Sequence, residues 1–395
     1  MPQPVRRSAR PDDFWRSYTH DVTPEDLQRL FTHEARDAWR FYLRGLDAAR
    51  LAGLPWHTRA AAYARAVFAA FTLKLSPARR IVYCVSLVLA LVGLLELFRG
   101  FRLGSVPAAV FSVPMVVPTW ATGTIPLLLA LFLVNLLVLL EVADRLSLKD
   151  DLEIAREIQQ AMLPHATYRA IGIEVHGQTR PANTVGGDFY DIQPLPDGRV
   201  MIGLGDVAGK GSPAALLMAL LLAMLRTLLD EGLAPAALMT RLNLQIWRHA
   251  PRSRFITLFL GVFDPATGDL THVNAGQTPP LVRRASGSLE WLRDGGVALG
   301  LREGSQYETA SLRLAPGDLL VLYSDGITEA EDPAGVPFEE AGLVHSIEAM
   351  PDATAPDLGA SVVNAVARHA RDQRFADDLT LVVLRRLPLP PAVAA

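Results

Sequence analysis

The chain has 395 residues, half of them apolar, a formal net charge of -3 and a mean hydropathy of +0.22. This length points to two or three domains, and the hydropathy points to a membrane portion. A single cysteine, Cys84, excludes an intrachain disulfide and a metal cluster built on cysteines. The charge is uneven: residues 1–80 carry 14 Lys and Arg against 8 Asp and Glu, whereas the remainder carries 24 against 33. A basic segment ahead of apolar runs fits a membrane-facing region, and no nucleic-acid partner is expected.

The chain starts MPQPVRRSARPDDFW, which lacks the apolar core of a secretory signal. Thr23-Pro24-Glu25-Asp26 is a helix start: threonine caps, proline suits the first turn and the acids favour the positive helix end. Helices are predicted over 24–50 and 58–76. Residues 1–80 then form a helical cytoplasmic region without a recognisable chemical motif. Two apolar runs follow, Ile81–Phe98 and Ile125–Val142, each close to the ~20 residues a membrane-crossing helix needs. Neither has the polar stripe of a core helix. Pro107, Pro114 and Pro118 argue against a third straight span between them. Residues 81–143 are therefore read as a two-span hairpin that returns the chain to its starting side. Arg79 and Arg80 precede the first run and Arg145 and Lys149 follow the second, although Arg99 and Arg102 sit in the connection. The expected location is a bacterial inner membrane, with both ends cytoplasmic.

Residues 144–164 contain Leu148, Leu152, Ala155, Ile158 and Met162 at spacings of three and four, then Pro164. That is an amphipathic linker helix. It either pairs with the same helix of a second copy, giving a homodimer, or packs on its own domain. From 170 to 388 the pattern changes to short strands, turns and two helices, a soluble mixed α and β domain. Ser212-Pro213 opens an apolar helix stopping near Gly232. Its length, Arg226 and its soluble-style ends mark it as a buried helix rather than a span.

The stretch VGGDFYD, 185–191, puts glycine and aspartate, both poor strand formers, into a strand-like setting. Pro196-Asp197-Gly198-Arg199 is a turn signal between two strands. With a two-residue loop, Asp188 faces Val207; a loop one residue different places it opposite Asp206. Either way two carboxylates finish together, and a divalent oxygen-loving cation would relieve their repulsion. Asp325 sits where the strand 319–323 breaks, and Asp377 and Asp378 precede the strand that follows them. Asp191 has the opposite parity to Asp188 and is expected on the other sheet face in a structural role.

GGDFYD (186–191), GDVAGKGSPAALLMA (205–219), NAG (274–276), YSDGITEA (323–330) and DDLT (377–380) together resemble the ordered signature of the SpoIIE-type, sigma-factor-regulating phosphatases. These belong to the PPM (type 2C) metal-dependent Ser/Thr protein phosphatases. AREIQQAMLP (155–164) resembles the linker helix that precedes that domain. The resemblance implies an α+β fold, an α-β-β-α sandwich of two antiparallel sheets flanked by helices, over residues 165–388, with 389–395 as a tail. It implies two Mn²⁺ or Mg²⁺ ions held by Asp188, Asp206, the Val207 carbonyl, Asp325 and Asp377, with Asp206 bridging. Asp378 ranks below Asp377, because its position is often asparagine in the wider superfamily. The implied reaction is hydrolysis of a phosphoserine or phosphothreonine on a signalling protein by a water held between the ions, with a STAS-type anti-anti-sigma protein as the implied substrate. The alternative is a membrane-anchored module of the same fold, catalytically weak or inactive, that signals by contact. Two positions depart from the family pattern: Gln277 stands where histidine commonly follows NAG, and Thr184 where glutamate is common.

Overall fold

The computed structural model describes residues 55–108, 111–371 and 375–390. The expected helix over 24–50 lies outside the described residues. The chain divides into two compact units, Met1–Arg145 and Leu146–Ala395.

In the first unit, α1 (Trp56–Thr72) corresponds to the helix expected over 58–76, and α2 (Pro77–Phe98) contains the first apolar run. Strands β1 (Phe101–Ala108) and β2 (Phe111–Pro118) then form an antiparallel hairpin, with Phe101 opposite Pro118 and Ala108 opposite Phe111. The prolines that argued against a third span therefore lie in a two-stranded ribbon. Every strand there is an edge, so a missing N–H is tolerated. The helix α3 (Thr119–Met162) contains the second run. A Cβ on Gly93 of α2 would meet the Gly123 carbonyl of α3 at 2.8 Å, and the reverse substitution meets the Gly93 carbonyl at 2.8 Å. Backbone touches backbone there, a contact only small residues permit. The hairpin is pinned by Arg79, 2.7 Å from Asp144 and 3.5 Å from Glu141.

The helix α3 runs through residues 143–144, where the hairpin region was expected to give way to the linker. Apolar run and amphipathic linker form one helix of 44 residues, about 66 Å long at 1.5 Å per residue. A hydrocarbon layer of about 30 Å takes up less than half of that length.

The second unit is a four-layer sandwich. Strands β3 (Thr167–Ala170), β4 (Ile173–Arg180), β5 (Phe189–Pro194) and β6 (Val200–Val207) lead to helices α4 (Ser212–Leu229) and α5 (Pro235–His249). Then come β7 (Ile256–Phe263), β8 (Asp269–Ala275), β9 (Leu281–Arg283), β10 (Leu289–Trp291), β11 (Ala310–Arg313) and β12 (Leu319–Tyr323). The chain closes with a short turn of helix α6 (Asp325–Thr328), helices α7 (Glu339–Glu348) and α8 (Ala355–Ala370), and β13 (Leu379–Arg386). One antiparallel sheet runs β10-β9-β12-β13-β4-β3 and the other β11-β8-β7-β6-β5.

Strand periodicity builds the layers. In β5, Tyr190 and Ile192 join the core between the sheets with Phe259, Leu320 and Val382, whereas Phe189 packs with Leu221 and Leu225 of α4. On the far side Val321 and Leu381 pack with Leu358 and Val362 of α8. Each such side chain, fully buried, contributes about 1.5–3 kcal/mol. Helix α4 is long and apolar enough to cross a membrane, as are α2 and α3, but α4 is the better buried. Ala214, Met218, Leu221, Leu222 and Leu225 are fully covered, so the α4 run is a core helix, as its ends suggested.

Candidate functional site

The hairpin β5–β6 sets the first pair of acids. Leu195 N–H donates to the Arg199 carbonyl at 2.8 Å and Gly198 N–H to the Leu195 carbonyl at 3.0 Å. The loop is thus three residues, Pro196-Asp197-Gly198, closed by Gly198 at φ +88°, the geometry in which a type I turn ends on a left-handed glycine. Phe189 pairs with Gly205, and the same register carried one step outward sets Asp188 against Asp206. Of the two registers the sequence allowed, this is the one with the acids directly opposed. VGGD itself is not strand: β5 starts at Phe189, and the glycines and Asp188 belong to the loop leading into it.

The Asp188 side chain is 4% exposed and its Oδ2 atom is buried without a hydrogen-bond partner. Burial, and then the charge of Asp206, push its carboxyl well above the usual range; the Thr380 and Ser324 hydroxyls act the other way. Asp206 is pushed up to about 6, first by burial and then by Asp325 and Asp377. Asp325 heads α6, with an exposed side chain whose carboxyl is still crowded by protein. That crowding, followed by Asp377, raises it too. Asp377 lies 2.8 Å from the Lys210 ammonium. All four expected acids thus act on one another at one end of the sandwich.

Backbone closeness is built in by glycine. A Cβ at Gly187 would come within 2.8 Å of the Val207 carbonyl oxygen and 2.9 Å of Asp206 Oδ1. A Cβ at Gly326 would strike the Asp378 carbonyl at 2.1 Å. The Val207 carbonyl, the expected backbone ligand, therefore lies beside the Asp206 carboxylate.

Asp378 has another task. It is buried, and its Oδ2 accepts from Gly187 N–H at 2.7 Å and Asp188 N–H at 3.4 Å, while Oδ1 accepts from Ala182 N–H at 2.8 Å. It clasps the loop that presents Asp188. Asp191 is fully buried on the helix side and binds Arg226 of α4 through both oxygens at 2.9 Å; the same Arg226 donates to the Met162 carbonyl at 2.7 Å. Its expected separation from Asp188 holds.

Three contributors lie outside the expected ligand set. Gln159 of α3 forms a reciprocal amide pair with Gly186, donating to its carbonyl at 2.8 Å and accepting its N–H at 3.2 Å. Gln277, the departure after NAG, is buried. Its N–H donates to Asn274 Oδ1 at 2.7 Å, its carbonyl accepts from Asn274 Nδ2 at 3.0 Å, and Thr278 Oγ1 donates to the Tyr323 carbonyl. That turn buttresses the end of β12, two residues before Asp325. Lys210, inside GDVAGKG, is the third.

The donors are carboxylate and carbonyl oxygens, which suit Mg²⁺ or Mn²⁺. The orphaned Asp188 Oδ2 and the space a Cβ at Gly187 would fill both fit such an ion. Among the described residues no three His, Cys, Asp or Glu side chains already stand at ligand spacing. Lys210 holds one of the four acids, Asp377.

Residues 196–387 match the family described as Stage II sporulation protein E (SpoIIE). Phosphoserine phosphatase RsbU of Bacillus subtilis is 28% identical over 240 residues, covering 60% of this chain and 71% of that protein. Protein IcfG of Synechocystis sp. is 28% identical over 263 residues, covering 60% of this chain and 41% of that protein. The chain thus spans well under half of the length of one of these relatives. The SiaA-PP2C domain of Pseudomonas aeruginosa shares the fold, with a TM-score of 0.54 at 22% identity over 62% of this chain and 98% of that domain. The order of the motifs and the match over residues 196–387 agree: the C-terminal domain of this chain is similar to the SpoIIE-type PPM Ser/Thr phosphatases.

Proposed function

We propose that this chain is a membrane-tethered, Mn²⁺- or Mg²⁺-dependent phosphatase that hydrolyses phosphoserine or phosphothreonine on a signalling protein. The observation that carries the reading is the buried Asp188 carboxylate, with one oxygen unpartnered, set against Asp206. A buried carboxylate set against a second, partly buried one repels it unless a cation lies between them or one is protonated.

In this reading Asp188, Asp206, the Val207 carbonyl, Asp325 and Asp377 hold two ions. Such ions, when bound, offset charge on the phosphoryl oxygens and lower the pKa of water. The chain's own part is preorganisation. Asp378 fixes the backbone of the Asp188 loop, and Gly187 lets the Val207 carbonyl and the Asp206 carboxylate stand side by side. The Ser324 and Thr380 hydroxyls face Asp188 and favour its charged form. The Gln277–Thr278 turn holds the end of the strand that presents Asp325.

The proposed substrate is a phosphorylated STAS-type anti-anti-sigma protein, in line with the family resemblance. Helices α2 and α3 are proposed to cross a bacterial inner membrane twice, leaving residues 1–80 and the domain 165–388 in the cytoplasm. Their length and apolar composition support this. Residues 144–164 are the proposed dimer-forming linker; Leu148 and Ile158 on it are 60% and 58% exposed.

The test is phosphate release from phosphorylated STAS proteins by the full chain in detergent micelles, with Mn²⁺ or with chelator. Release should require Mn²⁺ and fall to background in Asp206→Asn. Wild-type release by that variant, or release indifferent to chelator, overturns the reading.

A further inference from the structure

Lys210 sits in the loop between β6 and α4, between two glycines with left-handed backbone, Gly209 at φ +104° and Gly211 at φ +75°. A Cβ at Gly209 would collide with the Arg254 guanidinium, which donates to the Ala208 carbonyl. The loop is thereby folded so that Lys210 turns toward Asp377, 167 positions later in the chain. Its ammonium donates to Asp377 Oδ2 at 2.8 Å and to the Ala376 carbonyl. Asp325 and Asp378 add to the attraction. Both side chains of the pair are near half exposed, at 52% and 43%, so neither is locked in place by packing.

We infer that Lys210 is a displaceable internal counter-cation, holding Asp377 until a divalent ion enters and ejects it. The inference rests on the metal-site reading above and deepens it. An ammonium and a divalent cation are alternative partners for one carboxylate. Oxygens that bind Mg²⁺ stand about 2.0–2.1 Å from the ion, so an ammonium still bonded to Asp377 would lie against it, like charge on like. An ion that takes Oδ2 of Asp377 therefore requires the lysine to leave. The four-carbon stem and the exposed position make leaving easy.

The test is calorimetric titration of Mn²⁺ into chelator-treated full chain in detergent micelles, for wild type, Lys210→Gln, Lys210→Arg and Asp206→Asn. An exposed ion pair is worth up to about 1 kcal/mol, so Lys210→Gln should tighten Mn²⁺ binding about fivefold, while Lys210→Arg stays at the wild-type level or weaker. In chelator, Lys210→Gln should melt below wild type, since the acids lose their counter-charge; in saturating Mn²⁺ the two should melt together. Unchanged or weaker Mn²⁺ binding by Lys210→Gln overturns the inference. Asp206→Asn separates the two levels: if it binds Mn²⁺ like wild type, the site reading has failed. If it loses binding while Lys210→Gln is unaltered, only the role of Lys210 has failed.

Discussion

Asp377 and Asp378 are neighbours with opposite settings, which makes them a matched pair for one experiment. Asp378 is 6% exposed and accepts two short hydrogen bonds, from Gly187 and Ala182, with a longer one from Asp188. A hydrogen bond to a charged acceptor contributes about 1.5–3 kcal/mol, and its loss strands a buried N–H. Asp378→Ala should therefore cost about 3–6 kcal/mol, a large share of the roughly 5–15 kcal/mol that holds a domain folded. Asp378→Asn keeps one carbonyl acceptor and should cost about half as much. Asp377→Asn gives up only the half-exposed pair with Lys210 and should cost less than about 1 kcal/mol. The assay is thermal unfolding of the full chain in detergent, followed by near-UV circular dichroism with chelator present so that metal binding does not contribute. If Asp378→Ala and Asp377→Asn destabilise equally, the clasp is not what holds the Asp188 loop.

Gly187→Ala should leave the melting temperature within a few degrees of wild type but weaken Mn²⁺ binding at least about tenfold, since the new Cβ presses on the Val207 carbonyl and Asp206; calorimetry reads this directly, and unchanged affinity would remove Gly187 from the site. Asp206, pushed up to about 6 when folded, has an unfolded pKa near 3.9. The folded state thus binds the proton more tightly, so the contribution of Asp206 to metal-free stability rises as pH falls through 6 and levels off below about 4. Wild type should gain stability over Asp206→Asn between pH 7.5 and 5.5 in chelator, and a flat difference would contradict the assignment. Arg226→Ala strands the buried Asp191 carboxylate and should cost about 3 kcal/mol. Asp191→Asn, by contrast, should leave Mn²⁺ affinity unchanged, which separates the structural acid from the functional ones.

Local chemistry made much of this molecule readable in advance. Strand alternation placed Asp188 and Asp191 on opposite faces, and the turn signal at 196–199 brought Asp188 beside Asp206. What sequence could not choose was loop length, because Pro-Asp-Gly serves two-residue and three-residue loops alike; the Leu195–Arg199 pairing decides it. Contacts between distant segments left no local trace. Gln159 reaches Gly186, and Lys210 reaches Asp377, through the way elements stack rather than through any pattern in their own neighbourhoods.

The loop Pro196-Asp197-Gly198 lies at the far end of the hairpin from the acids, yet its length works as a gauge for them. If a one-residue deletion there is absorbed by keeping a three-residue turn, Leu195 pairs with Val200 instead of Arg199 and Asp188 comes to face Val207. Point substitutions in this exposed turn should be tolerated readily, while single insertions or deletions should be as damaging as loss of an acid. Lineages of this domain should therefore vary the letters of that turn and keep its count.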